Sequence, residues 1–352
     1  MDSSFQKALF LERIDGAFYE GTRPIPKPGP GELLVKVKAF ALNPADWKIQ
    51  KIDMQVMKSF PHVVGNDTAG DVEEIGGGVQ GWNKGDRVFF QAYFGHSDYA
   101  GFQEYTLVPA DLAVKIPANI TYEQASTIPV ACMAPAYGLL APAPLGAGLA
   151  NATLDPQSDF SGFSALVVGG ATSVGQFAIQ LLKYLGFGQI LTYASGHHSA
   201  FLKSLGATDI IDRKKYSLDQ LPEVVGQLKS APIKIVYDAV GNPETQNASN
   251  ACTPDGETLV SSLPKQVVDF GNSGKKFFGP VAIAQFPDPE GSLREFGKVI
   301  CGRLEEWVRK GVIVPSPVEV LPTGFTAIIG GLNRLENNQV SGVKLVGRPE
   351  SA

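Results

Sequence analysis

The stretch SALVVGGATSVGQFAIQLLKYLGF, Ser164 to Phe187, decides how the second half of the chain folds. An apolar, β-rich run ends at Val168, and apolar residues at helical spacing begin around Ser173. Gly169, Gly170 and Ala171 keep the turn between them low, and Gly175 lets the first helical turn lie close to it. The first-turn amides of Ser173, Val174 and Gly175 have no partner within the helix, so they and the helix dipole favour an anion. Thr172 and Ser173 can cap the helix or donate to a phosphate. The spacing departs from strict Gly-x-Gly-x-x-Gly. A strand, glycine turn and amphipathic helix that open a βαβ series nevertheless read as a dinucleotide cradle.

The end of the next strand selects the dinucleotide. An NAD site usually has Asp or Glu there for the ribose hydroxyls. This chain has TYASGHHSA, with Ser195 and His197 at the position and no carboxylate to repel a 2′-phosphate. Ser195 can donate to such a phosphate, and His197 or His198 can add partial positive charge, unless the histidines only open an exposed helix. Arg213 and Lys214, just past TDIID, can reach the same sheet edge. The reading favours NADPH.

Working outward, ALVVGG, QILTYA, TDIID, IKIVYDAV and GETLVSS are strand candidates, and VGQFAIQLLKYLG and HHSAFLKSLG lie between the early ones at helix length. This alternation implies a doubly wound parallel sheet with helices on both faces. Residues 141–162 read as a surface loop and 264–290 as irregular. Upstream, ELLVKVKAFALN, AGDVEEIG, DRVFFQA and FQEYTLVP are short strands separated by Gly-rich turns, which suggests an irregular antiparallel domain. TYEQASTIPVACMAPAYGLLA reads as helical despite its prolines, and SGVKLVGRP as a last strand. The chain therefore divides into residues 1–130 with 308–352, a β-rich domain, and residues 131–307, a Rossmann-type α/β domain.

With 352 residues the chain is long for one core, and its net charge of −5 without an extended basic run argues against a nucleic-acid partner. Cys132, Cys252 and Cys301 have neither pairing nor ligand spacing, as in a reducing compartment. No secretion signal and no apolar run long enough for a membrane span is seen, so a cytoplasmic protein without membrane contact is expected.

The segments GPGELLVKVKAFALNPADWK, VVGNDTAGDVEEIG, GDRVFF, FQEYTLVPADLAVKIP, GGATSVGQFAIQLLK, VYDAVG and SGVKLVGR, in this order, resemble the medium-chain dehydrogenase/reductase superfamily over nearly the whole chain. Within it they are most similar to the zinc-free quinone and enoyl reductases, above all the fungal enoyl reductases that act in trans with polyketide synthases. The resemblance implies a GroES-like β-rich domain beside the Rossmann domain. Zinc-containing members have a cysteine where this chain has Asn43, and Gly-His-Glu where it has Gly65, Asn66 and Asp67. Their four-cysteine loop has no counterpart between Gly95 and Asp111. Asn43 and Asn66 are poor zinc ligands, so no metal is expected; Asp46 and Asp67 instead pin local backbone.

The resemblance also implies roles for single residues. Lys48 matches a lysine beside the cofactor with a supporting electrostatic role, or is a solvated surface lysine. Thr172 and Ser173 match phosphate contacts, and Ser195 the 2′-phosphate contact. Arg213 stands where a tyrosine often faces the adenosine end. Val240, in VYDAVG, and Leu263 belong to the cofactor edge, and Lys344 is either a cofactor contact or structural. Where the family commonly has Thr-Ala-Tyr or Thr-Ala-Gly, this chain has Pro135, Ala136 and Tyr137. Pro135 offers neither hydroxyl nor amide hydrogen. Tyr137 is a candidate proton donor or an ordinary core residue.

The implied activity is NADPH-dependent hydride transfer to an activated C=C bond, in an enoyl thioester or enone, within fungal secondary metabolism. A carrier-bound substrate and a polyketide synthase partner follow from the same resemblance. The rivals are a quinone or alkenal reductase and a non-catalytic NADPH-binding protein. The substrate pocket is expected between the domains, near residues 50–60, 93–98 and 264–290. KIDMQVMKSF and GKKFFGPVAIAQF would line it or belong to the core, and Lys275 and Lys276 would meet an acidic carrier or water. A monomer is favoured over a homodimer.

Overall fold

The computed structural model describes residues 4–53, 55, 57–263 and 265–350. The chain forms two compact units, one of residues 1–130, 283–309 and 315–352, the other of residues 131–282 and 310–314.

The second unit is built on six parallel strands in the spatial order Asp209–Asp212, Gln189–Ala194, Ser164–Val168, Ile233–Asp238, Thr258–Ser261 and Lys276–Phe278. Numbered along the chain this is 3-2-1-4-5-6, the doubly wound Rossmann order. All five residues of Ser164–Val168 are buried, as expected of a central strand covered on both faces. On one face Leu166, Val168, Leu191 and Val236 pack with Leu221, Val225, Ala248 and Cys252. Helix Ser173–Tyr184 packs against the first, second and fourth strands. The sixth strand is a finding of the structure. Lys276–Phe278 has only three residues inside a segment the sequence reads as irregular, too few to display a period.

The first unit is β-rich. A mostly antiparallel sheet centres on Glu32–Ala41, which pairs with Asp67–Ile75, Tyr105–Pro109 and the late strand Lys344–Gly347. A three-stranded sheet joins Phe5–Leu11 to Phe18–Pro24 and His62–Val63. Residues 315–350 thus complete a structure begun by the first 130. The second edge of the division differs from the one read in the sequence, since helix Ser292–Lys310 falls almost wholly in the first unit. Its apolar face, Ile300, Cys301, Leu304, Trp307 and Val308, is buried. Asn119 Nδ2 donates to Val308 O at 3.3 Å, and Arg294 pairs with Asp111 at 2.7 Å. Helical spacing shows that a face is apolar but not which unit covers it.

Met57 belongs to the core of the first unit, while Met54 lies outside the described residues. No helix among the described residues is long and apolar enough to cross a membrane.

Phe40 holds this core together, edge-on to Phe102 at 5.4 Å and stacked on Phe325 at 5.8 Å. Phe40→Ala removes a ring with no exposure, whereas Phe5→Ala trims one that is 48% exposed. Chemical denaturation should show a loss of about 3–5 kcal/mol for the first and within about 0.5 kcal/mol of wild type for the second. Equal effects would contradict the core assigned here.

Candidate functional site

Because the six strands are parallel, the segments that follow the first, second, fourth and fifth lie on one edge of the sheet. These segments carry Gly169–Gly175, Ser195–His198, Val240–Gly241 and Leu263. The carboxyl edge of an open α/β sheet is where such folds bind ligands.

The turn has the geometry its sequence implies. Gly169 takes φ +82°, a region that favours glycine. A Cβ on Gly175 would collide with the Gly169 carbonyl, so this glycine sets how closely the helix start packs on its own turn. Thr172 is the N-cap: its Oγ1 accepts from Gly175 N at 3.0 Å and donates to Gly169 O at 2.8 Å. Its hydroxyl is therefore committed to the cap, and the amides of Ser173 and Val174 remain for an anion. A dinucleotide's pyrophosphate fits this low cradle. Val240 is 38% exposed, and a Cβ on Gly169 would meet its side chain. Half-buried Leu263 packs against Gly241.

At the far end Ser195 is nearly buried, and its Oγ accepts from Arg213 Nε at 2.7 Å. The exposed group here is Arg213, so the serine serves as its seat. His197 and His198 lie with ring centres 3.8 Å apart and ring planes tilted by 45°. Burial first, then His197 and Arg213, pushes the His198 pKa down. Mutually repelling groups gathered at one place suit an anion. One carboxylate the sequence reading passed over lies close by: Asp212 Oδ1 accepts from Gly196 N at 3.0 Å. The two are 16 residues apart; strand register brings them together, and composition gives no sign of it.

In the first unit, Asn43, Asp46, Asn66, Asp67 and Lys344 form one buried polar cluster. Asn43 Nδ2 donates to Asp67 Oδ2 at 2.8 Å, and Asn66 Nδ2 to Asp46 Oδ1 at 2.6 Å. Lys344, 4% exposed, gives its ammonium to Asn43 Oδ1 at 2.5 Å and pairs with Asp67 Oδ2 at 3.0 Å. Asp46 Oδ2 also accepts from Asn43 N, and Asp67 Oδ1 from Val130 N, each at 2.7 Å, so both acids hold backbone. Burial pushes the Asp46 carboxyl up to about 7, while the Asn43 and Asn66 bonds favour its ionised form. Lys344, a cofactor candidate in the sequence, thus has its charge engaged inside this cluster.

Lys48 is half-buried on helix Pro44–Lys51, with Nζ 5.8 Å from the Trp47 ring centre. Tyr137 has no exposure. Lys275 Nζ is bound to Asn250 O at 3.0 Å, and Lys276 starts the sixth strand. His62 bridges the carbonyls of Ser59 and Phe94, at 3.2 and 2.7 Å, which commits it to backbone.

Residues 29–118 match the alcohol dehydrogenase GroES-like domain, and residues 173–278 match the zinc-binding dehydrogenase family. The trans-enoyl reductase tndF of Aspergillus flavipes is 30% identical, over 97% of this chain and 98% of its own. The dehydrogenase azaJ of Aspergillus niger is 33% identical, over 92% and 93%. An alcohol dehydrogenase superfamily protein from Novosphingobium aromaticivorans superposes with a TM-score of 0.80 and 25% identity, over 98% of this chain and all of that one. The chain is a medium-chain dehydrogenase/reductase.

Medium-chain dehydrogenase/reductases are oxidoreductases of nicotinamide cofactors, and the strand-edge cradle fits one. The zinc in the name of the second matched family does not fit these residues. Two carboxamides are weak donors, and an ammonium already holds Asn43 Oδ1 and Asp67 Oδ2. A dication there would meet that positive charge at contact distance. Among the described residues no group of three or more His, Cys, Asp or Glu could hold a metal ion.

Two measurements test the cluster of this medium-chain dehydrogenase/reductase. Lys344→Met strands the Asp67 charge and should cost about 3–5 kcal/mol in denaturation, part of it recovered by adding Asp67→Asn. A cost below about 1 kcal/mol would mean the pair is not buried as described. For Asp46 the folded pKa lies above the unfolded one, so the native state binds more protons between about pH 4 and 7. Stability from this group is present below that window and is lost as pH rises through it. Wild type should therefore lose stability relative to Asp46→Asn across that range, and parallel melting-temperature profiles would refute this.

Proposed function

We propose that this protein is an NADPH-dependent reductase of activated C=C bonds, taking an enoyl thioester or enone and working without zinc. The observation that carries this reading is the Lys344 ammonium between Asn43 and Asp67, a donor set unsuited to the metal of alcohol-oxidising relatives. Without a metal to hold an alkoxide, the family's hydride chemistry is best served by a conjugated acceptor whose negative charge spreads onto a carbonyl.

Bound nicotinamide would supply hydride to the β carbon, and water the proton at the α carbon. The chain's residues bind and orient. The Ser173 and Val174 amides hold the pyrophosphate, Arg213 on its Ser195 seat meets the 2′-phosphate, and Val240 and Leu263 flank the nicotinamide end. Lys48 is only the candidate for supporting positive charge that the family resemblance implies. Positioning of this kind supplies much of the acceleration when reacting atoms are held about 3–3.5 Å apart. We assign no proton transfer to Tyr137, whose side chain is fully buried in the core. The trans-enoyl reductases among its relatives support a carrier-bound acyl chain as substrate and a polyketide synthase as partner.

NADPH and NADH oxidation with crotonyl and longer 2-enoyl thioesters, enones and a quinone tests the proposal. NADPH-dependent loss of the thioester or enone double bond, unchanged by a zinc chelator, is the expected result. Turnover of quinone alone would replace it with a detoxifying reductase. Tight NADPH binding without turnover, with or without a synthase partner, would replace it with a non-catalytic role.

A further inference from the structure

We infer that Asp212 is a positioning residue for cofactor specificity: it clasps the ends of two neighbouring strands together and so holds Arg213 where a 2′-phosphate would be met. This inference rests on the NADPH reading above.

The geometry is local and redundant. In the parallel register Ala194 stands opposite Asp212, so the chain leaves both strands at the same level. Asp212 Oδ1 accepts from Gly196 N and from Lys214 N, each at 3.0 Å. Arg213 N donates to Ala194 O at 3.0 Å, and Arg213 Nε to Ser195 Oγ at 2.7 Å. Residues 194–196 and 212–214 are thus joined by three bonds, and one of them seats Arg213 Nε on Ser195, next to the residue whose amide Asp212 holds. The guanidinium is exposed and rides on a long side chain, which without the clasp would sample many rotamers.

Glycine at 196 is part of the device. A Cβ there would lie 2.5 Å from Asp212 Oδ2 and 2.9 Å from Cγ, so a side chain at 196 and the seated carboxylate exclude each other. The Lys214 amide, then the Gly196 amide, hold the Asp212 carboxyl below the usual carboxylate range. In NAD sites a carboxylate at the end of the second strand accepts from ribose hydroxyls. Here the carboxylate belongs to the third strand, and Oδ1 already takes two amides. Its negative charge is spent on backbone, with Lys214 and Lys215 following it in the chain.

The test is calorimetric binding of NADPH, NADH and 2′-AMP to the full chain, for wild type, Asp212→Asn, Asp212→Ala, Gly196→Ala and Arg213→Ala. Asp212→Ala should weaken NADPH and 2′-AMP about ten- to a hundredfold and leave NADH within about threefold. Asp212→Asn keeps an oxygen for the amides and should recover most of the loss. Gly196→Ala should reproduce the Asp212→Ala pattern, which keeps the test available if that variant fails to fold. In the Asp212→Ala, Arg213→Ala double variant the losses should fall short of multiplying, because one residue acts through the other. Equal loss for NADPH and NADH would mark Asp212 as merely structural and overturn the inference, as would unchanged NADPH binding in both Asp212→Ala and Gly196→Ala. Asp212→Asn as weak as Asp212→Ala would overturn the amide clasp. Wild type binding NADH as tightly as NADPH would instead remove the cofactor reading on which the inference stands.

Discussion

Lys344 carries a full positive charge into a place where only 4% of the residue meets solvent, and the first unit is arranged around that fact. An ion so placed must be matched, since an unpaired charge in the interior costs several kcal/mol even after relaxation. Asp67 supplies the counter-charge and Asn43 an oxygen; Asp46 and Asn66 tie these to the start of helix Pro44–Lys51. Strand Glu32–Ala41 runs beside both Asp67–Ile75 and Lys344–Gly347, so the pair also fixes the sheet's register. The same contacts that hold the strands leave a divalent ion no suitable seat. The architecture of the first unit thus depends on one ammonium.

The second unit shows a different economy. Its candidate site needs few dedicated side chains, because parallel strands deliver their following loops to one edge. The cradle is mostly backbone: a glycine at positive φ, a helix start capped by Thr172, and amides left over for an anion. Past the ends of the second and third strands the structure seats Arg213 on Ser195, near two closely spaced histidines, and the proposed cofactor preference rests on these side chains.

What could be read in the sequence was what short-range rules govern. Strand, turn and helix from Ser164 to Tyr184 are written in consecutive residues, and so were legible to within a residue. The Asn43, Asn66 and Asp67 substitutions also announced themselves, because a ligand's chemistry is carried by its residue type. The Lys344–Asp67 pair was not legible, since Lys344 and its other partner Asn43 stand 301 positions apart and only sheet pairing joins them. Gly196 and Asp212 escaped notice for the same reason over a shorter span. Helix Ser292–Lys310 displayed its apolar stripe plainly, yet the stripe does not name what covers it.

The position of Lys344 along the chain sets an order of assembly. Every residue of the central parallel strands has been synthesised by Phe278, and Gln180 finds Val314 soon afterwards. The first unit has its helix cap, Asp46 and Asp67 early, but their ammonium arrives only after more than two hundred further residues. At about 5–20 residues per second that interval is roughly fourteen to fifty-five seconds on the ribosome. During it Asp67 has no cation to justify its burial, and the edge of strand Glu32–Ala41 that will receive Val346 and Gly347 stays open. The part begun first is the part finished last, which makes that open edge the nascent chain's point of exposure to chaperones and to other strands.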